Sequence, residues 1–290
     1  MPKRLFQAAQ RLAPAPMAAL IYRLMARPAR RAPNPSEAQV LAMARASTLH
    51  YGGFEMRRYD WGDAGQPTVL LIHGWEGQSA NFAAIIPLLL ELGNRVIAID
   101  AQAHGQSSGR QSQMFAYGQF LGEHFQQLAP DYLISHSFGS VSAAMALADH
   151  EDYPLKCWLM VTTPHRYRDR LQRAADQFGM TPAVLARVAR KVEQELALDI
   201  DALDMAAYCR RFHGVEQAAI AHSADDKILL IEWSRAVAEA FSHCDFYELQ
   251  GLGHYRILRS RELQNIVRKH FTQATAAAGN ADPGARPGSG

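Results

Sequence analysis

A serine in a strand-to-helix turn, an acid after one apolar run and a histidine after the last are the residue types of covalent acyl chemistry. The serine is Ser137, in Ser135-His136-Ser137-Phe138-Gly139, between the apolar run 132–134 and the helical stretch 141–147. Such a turn pushes its central side chain into a strained, exposed position. It also leaves N–H groups of the helix start facing the same space. Serine and glycine are common, so the pattern alone also describes ordinary turns. It gains meaning from a base, an acid and oxyanion donors. His254 follows Leu249-Gln250-Gly251-Leu252-Gly253, whose glycines suit a backbone turning sharply to present an imidazole. Asp226 follows the run ending at His222, with Asp225 as the alternative acid. The other role open to Asp225 is capping the next helix or pairing with Lys227. One oxyanion donor is the Phe138 N–H. The second is the Trp75 N–H in His73-Gly74-Trp75-Glu76-Gly77, where the glycines let the backbone bend toward the developing charge.

Strands must hold these groups at one edge, and the hydrophobic pattern supplies them. Residues 48–61 read as two strands joined around Gly52-Gly53. Apolar strands at 68–73, 95–100, 132–135 and 156–161 then alternate with helices at 81–92 and 114–128. Continuous apolar runs separated by helices predict a parallel sheet covered on both faces. The alternation breaks from 165 to 213, where the pattern is helical and polar, and Thr181-Pro182 reads as an N-cap with a first-turn proline. It resumes with a strand at 217–222, a helix at 232–241, a strand at 245–249 and a helix at 261–271. The expected organisation is a basic helical extension at 1–47, an α/β domain at 48–272 with a helical lid at about 165–213, and a disordered Ala-, Gly- and Pro-rich tail at 273–290.

Composition sets bounds on partners and compartment. At 48% hydrophobic and 20% charged residues, the chain sits within the globular norm. The formal net charge of +2 points to no nucleic-acid partner. It divides unevenly, into +7 on residues 1–36, which hold no acid, and −5 on the rest. Cys157, Cys209 and Cys244 are far apart and without metal or redox spacing, so free thiols in a reducing, cytoplasmic setting are expected. The apolar stretch 17–22 is too short for a secretory signal and is followed by arginines rather than a cleavage site. Packing of this stretch on the domain through Leu20, Ile21 and Leu24 is the favoured role. Weak contact of residues 1–32 with an anionic membrane surface is the other. Nothing in the pattern specifies an oligomeric state.

Four motifs in order resemble the α/β-hydrolase superfamily, in its serine esterase and lipase branch, over residues 50–272. They are His73-Gly74-Trp75, Asp100-Ala101-Gln102-Ala103-His104-Gly105-Gln106-Ser107-Ser108-Gly109, the Ser137 turn, and Gly253-His254. The order Ser137, Asp226, His254 is also the one this architecture uses. The resemblance implies a mostly parallel eight-stranded sheet with helices on both faces and a helical lid insertion. It implies Ser137 as nucleophile, His254 as base, Asp226 as orienting acid, and the Trp75 and Phe138 N–H groups as oxyanion hole. It implies a small-molecule carboxylic ester of small or medium acyl length as substrate, with no cofactor and no metal. Thioester, lactone or peptide hydrolysis, cofactor-free haloperoxidase chemistry and a non-catalytic binding role are the alternatives. His73, Gly74, Phe82, His136 and Met160 are candidates for the substrate pocket. The chain departs from the family pattern at Gln102, where proline is usual, and at Ser135, Ser140 and Ser223, where glycine is common. None of these removes a catalytic group.

Overall fold

The apolar runs assemble into one sheet in the computed structural model, which describes residues 3–112 and 115–279. The chain opens with α1 (Lys3–Leu12), α2 (Pro14–Met25) and α3 (Pro35–Ala42). The hairpin of β1 (Arg45–Tyr51) and β2 (Phe54–Trp61) follows, then β3 (Thr68–Ile72), α4 (Ile86–Glu91), β4 (Arg95–Ile99) and α5 (Ala116–Leu128). Next come β5 (Tyr132–His136), α6 (Phe138–Leu147) and β6 (Cys157–Val161), and then α7 (Tyr167–Phe178), α8 (Pro182–Leu196) and α9 (Met205–Cys209). The chain returns to the sheet with β7 (Ala218–Ser223), α10 (Ile231–Ala238), β8 (Cys244–Leu249), α11 (Gly253–Arg256) and α12 (Arg261–Gly279). Residues 280–290 of the expected tail lie outside the described residues, as do 113–114 at the start of the expected helix 114–128.

The eight strands order as β1-β2-β4-β3-β5-β6-β7-β8. Only the pairs that involve β2 are antiparallel; every other neighbouring pair is parallel. Strands β3, β5, β6 and β7 are buried along their whole length. Successive residues feed two cores: Leu70, Leu133, Trp158 and Ile220 pack on one face, and Leu71, Ile134, Leu159 and Ala221 on the other. That is why these runs show no polar alternation. Because β4 lies outside β3, the chain leaves β3 toward one side of the sheet and β5 toward the other. A crevice therefore opens past the C-terminal ends of these two neighbours.

Two expectations are corrected. The helix at 81–92 is a 3-10 turn (Ser79–Phe82) followed by a separate α4 with Pro87 in its first turn. Proline lacks an N–H and crowds the preceding turn, so it begins a helix here rather than continuing one. In the basic extension, Pro14 likewise opens α2, and the side chains that α2 buries are Ala18, Ile21 and Tyr22. Leu20 and Leu24, expected to pack inward, face outward instead. The reason is the partner, α8: the Tyr22 hydroxyl donates to Glu195 and the Lys191 ammonium lies 5.0 Å from the Tyr22 ring centre. Fully buried Gln10 of α1 clamps the turn before α8, donating to the Gly179 carbonyl at 3.1 Å and accepting from the Thr181 N–H at 2.7 Å. The first two helices and the helical insertion are thus packed together. No helix among the described residues is long and apolar enough to cross a membrane.

Candidate active site

Ser137 stands between the end of β5 and the first residue of α6, with φ 53° and ψ −125°. A positive φ at a non-glycine residue costs about 1–3 kcal/mol and persists only where neighbours enforce it. Here the Ser137 N–H is held by the Val161 carbonyl at 2.9 Å. Close packing of α6 does the rest. A Cβ on Gly139 would lie 2.3 Å from the Ile72 carbonyl oxygen, so only glycine lets the helix start against β3. The unusual first residue of the turn, Ser135, is not idle: its hydroxyl accepts from Trp158 Nε1 and lies 2.9 Å from Ser140 Oγ. Two serines in place of two glycines thus form a buried hydrogen-bonded pair behind the turn.

The hydroxyl of Ser137 donates to His254 Nε2 at 3.0 Å, and His254 Nδ1–H donates to Asp226 Oδ2 at 2.7 Å. The imidazole and the carboxylate are both nearly buried. Burial alone would raise the Asp226 pKa. The bond from His254 and those from the Ile228 and Leu229 N–H groups outweigh that and hold the carboxyl below its ordinary value. Asp225 is turned away. It is exposed, accepts from Ser223 and the Gly253 N–H, and sits 4.0 Å from Arg256. The neighbouring acids therefore differ in function-bearing geometry although they are adjacent in sequence.

Trp75 and Phe138 flank the same space. A Cβ on Gly74 would lie 2.8 Å from the His136 carbonyl oxygen and 3.0 Å from Ser137 Cβ, which brings the Trp75 loop directly onto the serine turn. Among the described residues neither the Trp75 nor the Phe138 N–H has a protein acceptor. Two N–H donors without a protein acceptor beside a strained serine hydroxyl are the type of groups that can bind a negatively charged oxygen.

The remaining candidates divide. His73 is buried and clamps two loops, donating from Nδ1 to the Gly74 carbonyl at 2.8 Å and accepting from the Ala101 N–H at Nε2. Burial pushes its pKa down to about 4, so it is neutral. His136 is also buried and neutral, pushed down to about 3 first by burial and then by the nearby His254, and its Nε2–H holds the His254 carbonyl at 2.9 Å. Both are tethers of the site. Phe82 and Met160, expected at a pocket wall, are fully buried core residues. Phe82, at the end of a 3-10 turn, packs into the core on one sheet face, and Met160 into the core on the face that α6 covers. The apolar recess beside Phe138 is walled instead by Val141, Tyr167, Leu203, Met205 and Tyr208, most of them from the helical insertion. Sequence reasoning also passed over His222, fully buried, whose Nε2 lies 3.6 Å from Asp226 Oδ2 and 3.3 Å from the Leu229 carbonyl. The available signal was its place at the end of β7, four residues before the acid.

A sequence model of the alpha/beta hydrolase fold matches residues 67–211. Among solved structures, the chain resembles a protein assigned as a lipase from Acinetobacter baumannii AYE (TM-score 0.61, 16% identity, 86% of this chain and 99% of that one). It also resembles the esterase Pf2001 of Pyrococcus furiosus (TM-score 0.59, 16% identity, 85% and 96%). A third likeness is the thioesterase domain of the curacin biosynthetic pathway (TM-score 0.54, 15% identity, 77% and 99%). At these identities the likeness is one of fold.

Proposed function

Because the chain belongs to the α/β-hydrolase family, we propose that it is a serine hydrolase that cleaves carboxylic esters through an acyl-enzyme. The observation that carries this is the unbroken line from Ser137 Oγ through the His254 ring to Asp226, with contacts of 3.0 and 2.7 Å. Asp226, anionic at neutral pH, keeps the proton on His254 Nδ1 and leaves Nε2 free to take the serine proton as Oγ attacks the ester carbonyl. The oxyanion forms between the Trp75 and Phe138 N–H groups. The same imidazolium then protonates the departing alkoxide. Water, deprotonated by His254, repeats the addition at the acyl-enzyme and releases the acid. We place the acyl group, of small or medium length, at the apolar wall beside Phe138.

A fluorophosphonate probe and a panel of p-nitrophenyl esters of increasing chain length, with one matched thioester, test the proposal. Labelling and ester turnover are expected in the native chain. Ser137→Ala should abolish labelling and lower kcat by about 10⁴-fold or more. Labelling that persists in Ser137→Ala, or no turnover of any activated ester, sinks the reading. Turnover of the thioester alone moves it to thioester hydrolysis.

A further inference from the structure

We propose that α1 and α2 dock the protein onto the surface of an anionic phospholipid bilayer. The helix α2 buries Ala18, Ile21 and Tyr22 yet exposes Leu20 and Leu24, so it is apolar on its outer side as well. A helix apolar all round is normally covered on every side. On α1 the exposed residues Leu5, Ala8 and Leu12 recur at helical spacing. Leu5, Leu12, Leu20 and Leu24 are 59%, 87%, 49% and 57% exposed, nearly half of the large exposed hydrophobic side chains described, and all lie within twenty residues. Phe178, 59% exposed, adds to this side, next to the Gly179 carbonyl that Gln10 holds.

Charge identifies what covers them. Arg11, Arg23 and Arg27 are exposed among these leucines, and among the described residues none of the three guanidiniums has an ion pair or hydrogen bond. The next two arginines are, by contrast, employed: Arg30 donates to the Ala103, Ser107 and Gly109 carbonyls and Arg31 pairs with Glu37. Residues 1–36 hold no acid, and the rest of the chain is net negative, so these helices belong to the strongly basic part of the sequence. Leucines inserted between unpaired arginines match an interface of acyl chains and anionic headgroups. A two-fold contact with a second copy would set the same arginines against one another. Docking would also be felt at the site. The segment after α2 is tied to it, since the Ala29 N–H donates to Glu76, the residue after Trp75.

The test is co-sedimentation of the full chain with phosphatidylcholine vesicles, with and without a quarter of phosphatidylglycerol, at low and high salt. It reads binding rather than turnover, so it stands or falls apart from the esterase proposal. Binding is expected to require the anionic lipid and to weaken as salt rises. Arg11→Gln/Arg23→Gln/Arg27→Gln should weaken it about 100-fold, at about fivefold per guanidinium. Leu20→Glu/Leu24→Glu should abolish it without lowering the Tm, since both side chains are exposed; should that variant unfold, the arginine variant and the salt series still decide. Equal binding to neutral vesicles, no binding at all, or a dimer that Leu20→Glu/Leu24→Glu converts to monomer overturns the proposal.

Discussion

At the C-terminal edge of the sheet the groups are fixed from within. Ser137 is held by the Val161 carbonyl, His254 by His136, and Asp226 by two N–H groups, all in buried surroundings. The helical insertion packs Leu171, Val188 and Leu203 into the core and adds surface Arg166–Asp204 and Arg168–Asp201 pairs whose arginines are about half exposed. The contrast teaches where specificity is stored. Bond-making geometry is built into elements that cannot shift without breaking the core. The walls of the apolar recess come mostly from the insertion, whose buried side chains join the same core while its surface pairs tolerate change.

Three measurements sharpen or break this contrast. The largest effect belongs to the acid pair: Asp226→Asn should lower kcat by about 10⁴-fold, through the wrong imidazole tautomer, whereas Asp225→Asn should leave it close to native. The reverse ranking would show that buried fixation does not decide which acid works. Next is acid sensitivity. His73, His104 and His136 all lie at the sheet edge, and burial first of all pushes their pKa values down to about 4, about 3 and about 3. The unfolded chain takes up these protons near pH 6.5, at about the ordinary histidine value. The native state does not, so stability is full above that pH and falls as pH drops toward 4. At pH 5 the loss is on the order of 1–2 kcal/mol for each histidine. Asp226, held below the ordinary carboxyl value of 3.8, loses its contribution only at more acid pH. Urea midpoints between pH 7.5 and about 5 read this out, and a flat profile would contradict it. The smallest effect is in the insertion, where Arg166→Ala should cost less than about 1 kcal/mol by the same urea measurement.

The sheet was legible because its strands are buried on both faces, which leaves continuous apolar runs, and because chemistry falls where such runs end. Ser137, Asp226 and His254 were found by that rule, and the structure brings them into contact. Side-chain direction was not legible. Whether Leu20 or Ile21 faces inward depends on α8, some 170 residues away, and Met160 lines the core because strand register, not residue type, decides its face. Pro87 stands in the sequence within an otherwise continuous apolar run, and only the structure shows that a new helix starts there. His222 was hidden for another reason: its importance comes from a 3.6 Å approach to Asp226, which no spacing rule encodes.

The clamp between the first helices and the insertion also constrains the order in which the protein can be made. Gln10 and Thr181 are 171 positions apart, and Tyr22 and Glu195 are 173. At a synthesis rate of about 5–20 residues per second, α1 and α2 leave the ribosome about 10–30 s before α8 exists to receive them. During that interval Ile21 and Tyr22 are as uncovered as Leu20 and Leu24. The nascent chain therefore carries an amphipathic α1 and an apolar, uncovered α2 with no acid between them, a segment that invites holding by a chaperone or early capture by a lipid surface.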